Sequence, residues 1–236
     1  MALKGVILAG GKGTRLHPVT KVINKHMVPV LNRPMILYPI ETLKELGITE
    51  IMIVSGGNHV GGFTEFLGSG KELGVELTYR VQEDAGGIAQ ALSTTKAFVG
   101  EDNVAVILGD NYYESLLSEA YIASLMNSDN ASIFLSKVED PERFGVLDKE
   151  NNRIIEKPSG FVGNLAVTGL YIYPPDVFSF IETLEPSARG EYEITDVNNW
   201  YLSANRMNII ELPGFWSDMG TPESLHKAID FITKKT

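Results

Sequence analysis

The residues of this chain best placed to do chemistry lie near its start. Gly10, Gly11 and Gly13 are followed at once by Thr14 and Arg15, with Lys21 and Lys25 shortly behind. Glycine tolerates positive φ and lets successive backbone N–H groups converge on an anion, while Arg and Lys add full charges where the backbone offers partial ones. The apolar run Val6-Ile7-Leu8-Ala9 precedes the glycines, so the stretch reads as a strand opening into a loop that cradles a polyphosphate. A glycine-rich turn beside solvated lysines is the plainer alternative, and Thr14-Arg15 behind three glycines weighs against it. Two familiar phosphate loops are excluded. The dinucleotide fingerprint needs a glycine where Leu16 stands, and a Walker A loop needs Ser or Thr where Gly13 follows Lys12.

Three further constellations carry chemical promise. Leu108-Gly109-Asp110-Asn111 and Trp216-Ser217-Asp218 each put a carboxylate after an apolar run. Two carboxylates suffice for Mg²⁺ when phosphate oxygens and water complete its octahedron, although Asp-Asn is equally an ordinary turn. Gln82 offers both a donor and an acceptor to a base edge, and Gly87 permits close approach of a flat ring; a loop entering a helix would look the same. Glu156-Lys157 fits sugar hydroxyls and a phosphate, or else an exposed ion pair. His17, His26, His59 and His226 lack zinc-ligand spacing.

The elements that must position these residues follow from periodicity. Helical spacing covers 34–46, with Pro39 as an irregularity, then 60–67, 88–98, 116–126, 176–184, 194–203 and 222–232. The last of these helices has Thr221 as N-cap and Pro222 in its first position. Strand patterns cover 50–54, 75–81, 104–108, 131–138, 165–173 and 207–212, with a hairpin over 145–158 turning at 150–152. Strands alternating with helices predict right-handed βαβ units and a ligand crevice at the carboxyl ends of the strands. The Gly10 loop and Asp110 then share one rim, under an antiparallel subregion.

Bulk properties narrow the partners. A net charge of −10 with no Lys/Arg block argues against a nucleic-acid surface, so any polyphosphate site must be local. The absence of cysteine rules out disulfides and Cys-ligated metals and fits the reducing cytosol. No apolar stretch approaches about 18 residues, so no membrane span is expected.

Residues 8–20, LAGGKGTRLHPVT, followed by Lys25 and Pro29-Val30, resemble the signature of the sugar-nucleotide pyrophosphorylases, a nucleotidyltransferase family. The likeness is closest to the glucose-1-phosphate thymidylyltransferases and extends from Lys4 to about Leu225. It implies an α/β fold: a doubly wound, mostly parallel Rossmann-like sheet with an antiparallel sugar-binding subregion. It also implies one nucleotidyltransferase domain over 1–236, with a nucleotide half over about 1–138 and a sugar-phosphate half over about 139–236. The implied reaction is Mg²⁺-dependent transfer of a nucleoside monophosphate from dTTP to glucose 1-phosphate, giving dTDP-glucose and pyrophosphate. The same reaction with UTP or CTP, or a non-catalytic sugar-nucleotide sensor, are the alternatives. A glycosyltransferase would usually carry Asp-x-Asp, which the chain lacks.

Carried over residue by residue, the resemblance makes Arg15, Lys25 and Lys157 catalytic and gives Mg²⁺ to Asp110 and Asp218. It assigns the nucleotide to Leu8, Gly10, Gly11, Gly13, Thr14, Gln82, Gly87 and Asp110. The sugar phosphate falls to Asn111, Gly145, Glu156, Lys157, Thr168, Gly169, Glu193 and Trp216, the last either stacking on the sugar or packing. The prolines usual in the family after the glutamine are missing, which leaves the base preference open. A cytoplasmic homo-oligomer without nucleic-acid or membrane partners is expected; longer relatives add C-terminal helices that form part of the oligomer contact, so the chain reads as a short form whose oligomeric state is open.

Overall fold

The computed structural model describes residues 3–57, 59–115, 122, 125 and 128–235. In chain order its main elements are β1 (Leu3–Leu8), α1 (Leu37–Glu45), β2 (Glu50–Gly56), α2 (Val60–Leu67), β3 (Glu76–Gln82), α3 (Ile88–Ser93), α4 (Lys96–Val99) and β4 (Asn103–Leu108). There follow β5 (Ala131–Lys137), β6 (Gly145–Asp148), β7 (Arg153–Glu156), β8 (Leu165–Tyr173), α5 (Val177–Ile181), α6 (Ile194–Ser203), β9 (Met207–Glu211) and α7 (Pro222–Lys235).

The first four strands form a parallel sheet in the order β3-β2-β1-β4. Their side chains alternate between two apolar layers, as strand periodicity requires. Val6, Val104 and Val106 pack with α3, α5 and α6 on one face, whereas Ile7, Ile51, Ile53 and Ile107 pack with α1 and α2 on the other. A sheet covered on both faces places its loops, and hence any ligand, at the strand ends.

The strand that organises the second half is β8. It runs antiparallel to β4, from Leu170 beside Ile107 to Tyr173 beside Val104. Its first half overshoots the carboxyl end of β4, and there Ala166 pairs with Val146 of β6. On its other edge it pairs with β5, with a break in register between Val167 and Tyr171. Thr168-Gly169 therefore lies over the end of β4, and the β6–β7 hairpin overhangs the crevice. Strand β9 extends the sheet in parallel beyond β5. The expected antiparallel subregion is thus built onto the same sheet.

Some boundaries differ from the sequence expectation for local reasons. Helix α1 begins at Leu37 because Arg33–Pro34 pairs with Pro29–Val30 as a two-residue ladder. Pro39 causes no break, since in the first helical turn the missing N–H has no partner to lose. The helix expected over 88–98 is interrupted at Thr94-Thr95. There the hydroxyls of Ser93, Thr94 and Thr95 each donate to the carbonyl three residues back and compete with the helical ladder. The expected helix over 116–126 lies outside the described residues apart from Ile122 and Leu125, both buried. Thr221 caps α7 as expected: Ser224 N–H donates to its hydroxyl and Thr221 N–H donates to Ser224 Oγ, both at 3.1 Å. No helix among the described residues is long and apolar enough to cross a membrane.

Candidate active site

The carboxyl ends of β1, β3 and β4 and the overhanging hairpin enclose a cavity of about 660 Å³. The floor comes from β1 and β4. After Leu8 the chain turns through Gly10 and Gly11 into three successive 3-10 turns, Thr14–Leu16, Val19–Lys21 and Lys25–Met27, which bring Arg15 and Lys25 to the cavity wall. Gly13 takes a left-handed conformation at φ 60, and a Cβ there would stand 3.0 Å from that of Lys25, so only glycine fits without strain. Gly13 and Thr14 do not line the cavity themselves. They shape the turn, with Thr20 Oγ1 donating to the Gly13 carbonyl at 2.6 Å.

Asp110 and Asp218 are 108 positions apart in sequence, and a two-residue ladder stitches their loops together. Trp216 pairs with Tyr113 and Ser217 with Tyr112. Both carboxylates then converge on Gly220, where a Cβ would stand 3.2 Å from Asp110 Oδ2, 3.3 Å from Asp218 Oδ2 and 3.1 Å from Arg15 Nη2. Each acid already holds a cation: Lys25 Nζ is 2.6 Å from Asp110 Oδ2, and Arg143 Nη2 is 2.6 Å from Asp218 Oδ2. Arg15 makes no ion pair among the described residues. Burial on its own favours a neutral Asp110, but the adjoining Lys25 ammonium and hydrogen bonds from Lys25 and Asn111 outweigh it and hold the carboxyl below its ordinary range. Burial, and then Lys25, push the neighbouring His26 down to about 3. Its ring is therefore neutral. Asn24 Oδ1 accepts His26 N–H and lies 2.8 Å from Nδ1, so Nδ1 carries the proton.

The opposite wall is built by Gly145, Glu156, Lys157, Thr168, Gly169 and Glu193, all of which line the cavity. Glu156 accepts from Thr195 Oγ1 at 2.6 Å and lies 3.2 Å from both Lys157 Nζ and Arg189 Nη2. Glu193 takes Arg189 Nη2 at 2.7 Å. Lys157 and Met219 hold positive φ at 44° and 36°, conformations that side chains tolerate only where surroundings enforce them and that cluster at functional sites.

A sequence profile of the nucleotidyl transferase family matches residues 4–235. The chain belongs to that family. It is 40% identical over 237 residues to the glucose-1-phosphate thymidylyltransferase of Neisseria meningitidis, covering 98% of this chain and 82% of the relative. Identity to the Mycobacterium tuberculosis protein of the same name is 38% over 236 residues, with 98% and 82% covered. Among solved structures, a Bacillus anthracis protein provisionally assigned as a glucose-1-phosphate thymidylyltransferase, in complex with sucrose, superposes with a TM-score of 0.92. It is 50% identical, with 98% of this chain and 95% of that chain covered. A UDP-glucose pyrophosphorylase complexed with UDP-glucose superposes at 0.88 with 26% identity and full coverage of both chains.

Within this nucleotidyl transferase most residues expected from the sequence meet in one place. Leu8, Gly10, Gly11, Gln82 and Gly87 line the cavity on one side of Asp110 and Asp218, facing the wall just described. Two expected sugar contacts are tied into the protein. Asn111 Oδ1 accepts from Trp216 Nε1 at 2.7 Å, Gly169 N at 3.0 Å and Tyr113 OH at 3.1 Å, while its Nδ2 donates to Asp110 Oδ1. The Trp216 ring packs edge-on against Phe144 at 5.3 Å, and Trp216 and Asn111 both also line the cavity. Arg143 and Arg189 were not singled out from the sequence. Arg143 acts across 75 positions, which no local pattern reveals; Arg189 sits beside Gly190-Glu191, and that neighbourhood was its only signal.

The donor set fits Mg²⁺. Two hard carboxylate oxygens near one point leave most of the octahedron to phosphate and water, the usual arrangement for this ion in nucleotide enzymes. No cluster of three or more metal-ligating side chains occurs among the described residues.

Proposed function

We propose that this chain transfers a thymidylyl group from dTTP to glucose 1-phosphate, releasing pyrophosphate and forming dTDP-glucose. The observation that carries the reading is the meeting of Arg15, Asp110 and Asp218 around Gly220, in the cavity that Gln82 and Glu156 also line. The phosphate oxygen of the sugar attacks the α-phosphorus in line, so the protein's task is positioning and charge neutralisation. Arg15, which has no acidic partner among the described residues, meets the departing pyrophosphate. Lys25 orients the α-phosphate and Lys157 the attacking phosphate. Gln82 and Gly87 face the base, and Glu156 and Glu193 accept hydrogen bonds from sugar hydroxyls. Asp110 and Asp218 would hold Mg²⁺, which would supply Lewis-acid neutralisation of nucleotide oxygens.

The reading is supported by relatives that carry the thymidylyltransferase name over nearly the whole of this chain. UTP is the second reading, favoured by the likeness to the UDP-glucose complex. The reaction consumes nucleoside triphosphate, which fits the cytoplasm. Incubation with Mg²⁺, glucose 1-phosphate and each nucleoside triphosphate in turn, with pyrophosphate measured, tests the proposal. Release with dTTP supports it, release with UTP alone shifts it to the second reading, and release with neither removes it.

A further inference from the structure

Gln82 and Gln90 are joined by a hydrogen bond whose direction the backbone dictates. The Gly86 N–H, which can only donate, lies 2.9 Å from Gln90 Oε1, so that atom is an acceptor. Gln82 Nε2 lies 2.8 Å from the same Oε1 and 3.4 Å from the Gly87 carbonyl, which can only accept. Reversing the Gln82 carboxamide would turn its oxygen against two acceptors, so obligate partners fix an orientation that density alone seldom distinguishes. Both amide hydrogens are thereby committed inside the protein. The remaining atom, Oε1, lies 3.2 Å from where a Gly10 Cβ would stand, and Gln82 and Gly10 both line the cavity. Gln90 itself does not line the cavity. Its amide lies flat on Gly86, where an added Cβ would fall 2.5 Å from Gln90 Cδ.

We infer that Gln90 is a positioning residue that sets base preference: it holds Gln82 so that an acceptor faces the nucleotide, which selects a pyrimidine carrying an N3–H. The inference rests on the reading that Gln82 faces the base. Thymine and uracil bring a donor at N3, whereas cytosine brings a lone pair that would oppose Oε1. A site built around one hydrogen-bond polarity rejects the opposite one strongly, because both polar groups are left unpaired away from water.

The test compares kcat/KM for dTTP, UTP and CTP, with glucose 1-phosphate and Mg²⁺, in the wild type, Gln90→Met and Gln90→Glu. Wild type favours dTTP and UTP over CTP. Gln90→Met lacks the amide acceptor and leaves only the long 3.4 Å contact to the Gly87 carbonyl to orient Gln82, so the carboxamide turns more readily and the dTTP-to-CTP ratio falls about tenfold or more. Gln90→Glu keeps an acceptor and keeps the ratio, even where its charge lowers both rates. The ratio decides, because a merely loosened loop slows both nucleotides alike. An active Gln90→Met with the wild-type ratio overturns the inference. If that variant does not fold, Gln90→Asn, too short to reach Gly86 and Gln82 together, is read in the same way. A wild type inactive with all three nucleotides overturns the functional reading and this inference together, whereas an active wild type with unmoved ratios overturns only the latter.

Discussion

Arg15 and Arg143 differ in what their charges already do. Arg15 has no acidic partner among the described residues, so its guanidinium is available to an incoming anion, and Arg15→Ala is expected to lower turnover about a hundredfold or more with the fold retained. Pyrophosphate release near the wild-type rate, with an unchanged far-UV spectrum, would take Arg15 out of that role. Arg143 instead neutralises Asp218, one of two carboxylates suited to Mg²⁺. Arg143→Gln removes that competitor and is expected to tighten Mn²⁺ binding to the nucleotide-free protein roughly two- to tenfold, the scale of a partly exposed ion pair. Calorimetric titration measures this directly, and unchanged affinity would show that the pair does not oppose the metal. At this scale the family resemblance singled out Lys25, Asp110 and Asp218, and folding brings all three to the cavity. Arg143 and the polarity of Gln82 were illegible because each depends on a partner that only folding supplies.

Strand β8 sets the tolerance of its surroundings to change. A Cβ on Gly169 would stand 2.7 Å from both Asn111 Oδ1 and Leu108 Cγ, so Gly169→Ala is expected to destabilise by about 1–3 kcal/mol through overpacking at this crossing. An unfolding midpoint in urea equal to that of wild type would contradict this. The β6–β7 hairpin should respond to pH. Hydrogen bonds from the Asn151 side chain, from backbone N–H groups at its turn and from Arg153 hold Asp148 below the ordinary carboxylate range, although burial opposes them. A carboxyl lowered in the folded state contributes stability that is present above its unfolded value, about 4, and is lost as pH falls through the folded one. The thermal midpoints of wild type and Asp148→Asn should therefore differ at neutral pH and converge in acid, once the pH has fallen through the lowered folded value of Asp148. A gap that persists in acid would point to shape rather than charge. Element types were readable from periodicity because strands and long helices bury one face or both. The 3-10 turns after the glycine loop and the break at Thr94-Thr95 were not, since local hydroxyl and glycine geometry decides them.

The chain is acidic, net −10, yet Arg15, Lys25, Arg143, Lys157 and Arg189 line its cavity, so binding of a triphosphate should stabilise the fold measurably. With dTTP and Mg²⁺ at about 100 times the dissociation constant, mass action adds about 2.7 kcal/mol, or about 5–10 °C in thermal midpoint for a chain of this size. A midpoint that dTTP leaves unmoved would argue against a nucleotide site. Strand β8 also bears on how the molecule can move. Its last residues are laddered to β4 and its first to β6 and β5, so one stretch of backbone belongs to both walls of the cavity. A hinge rotation of one wall against the other would have to tear that ladder. Adjustment to substrate is left to side chains and to the loops at the rim, and the two reactants meet in a frame whose width is set during folding.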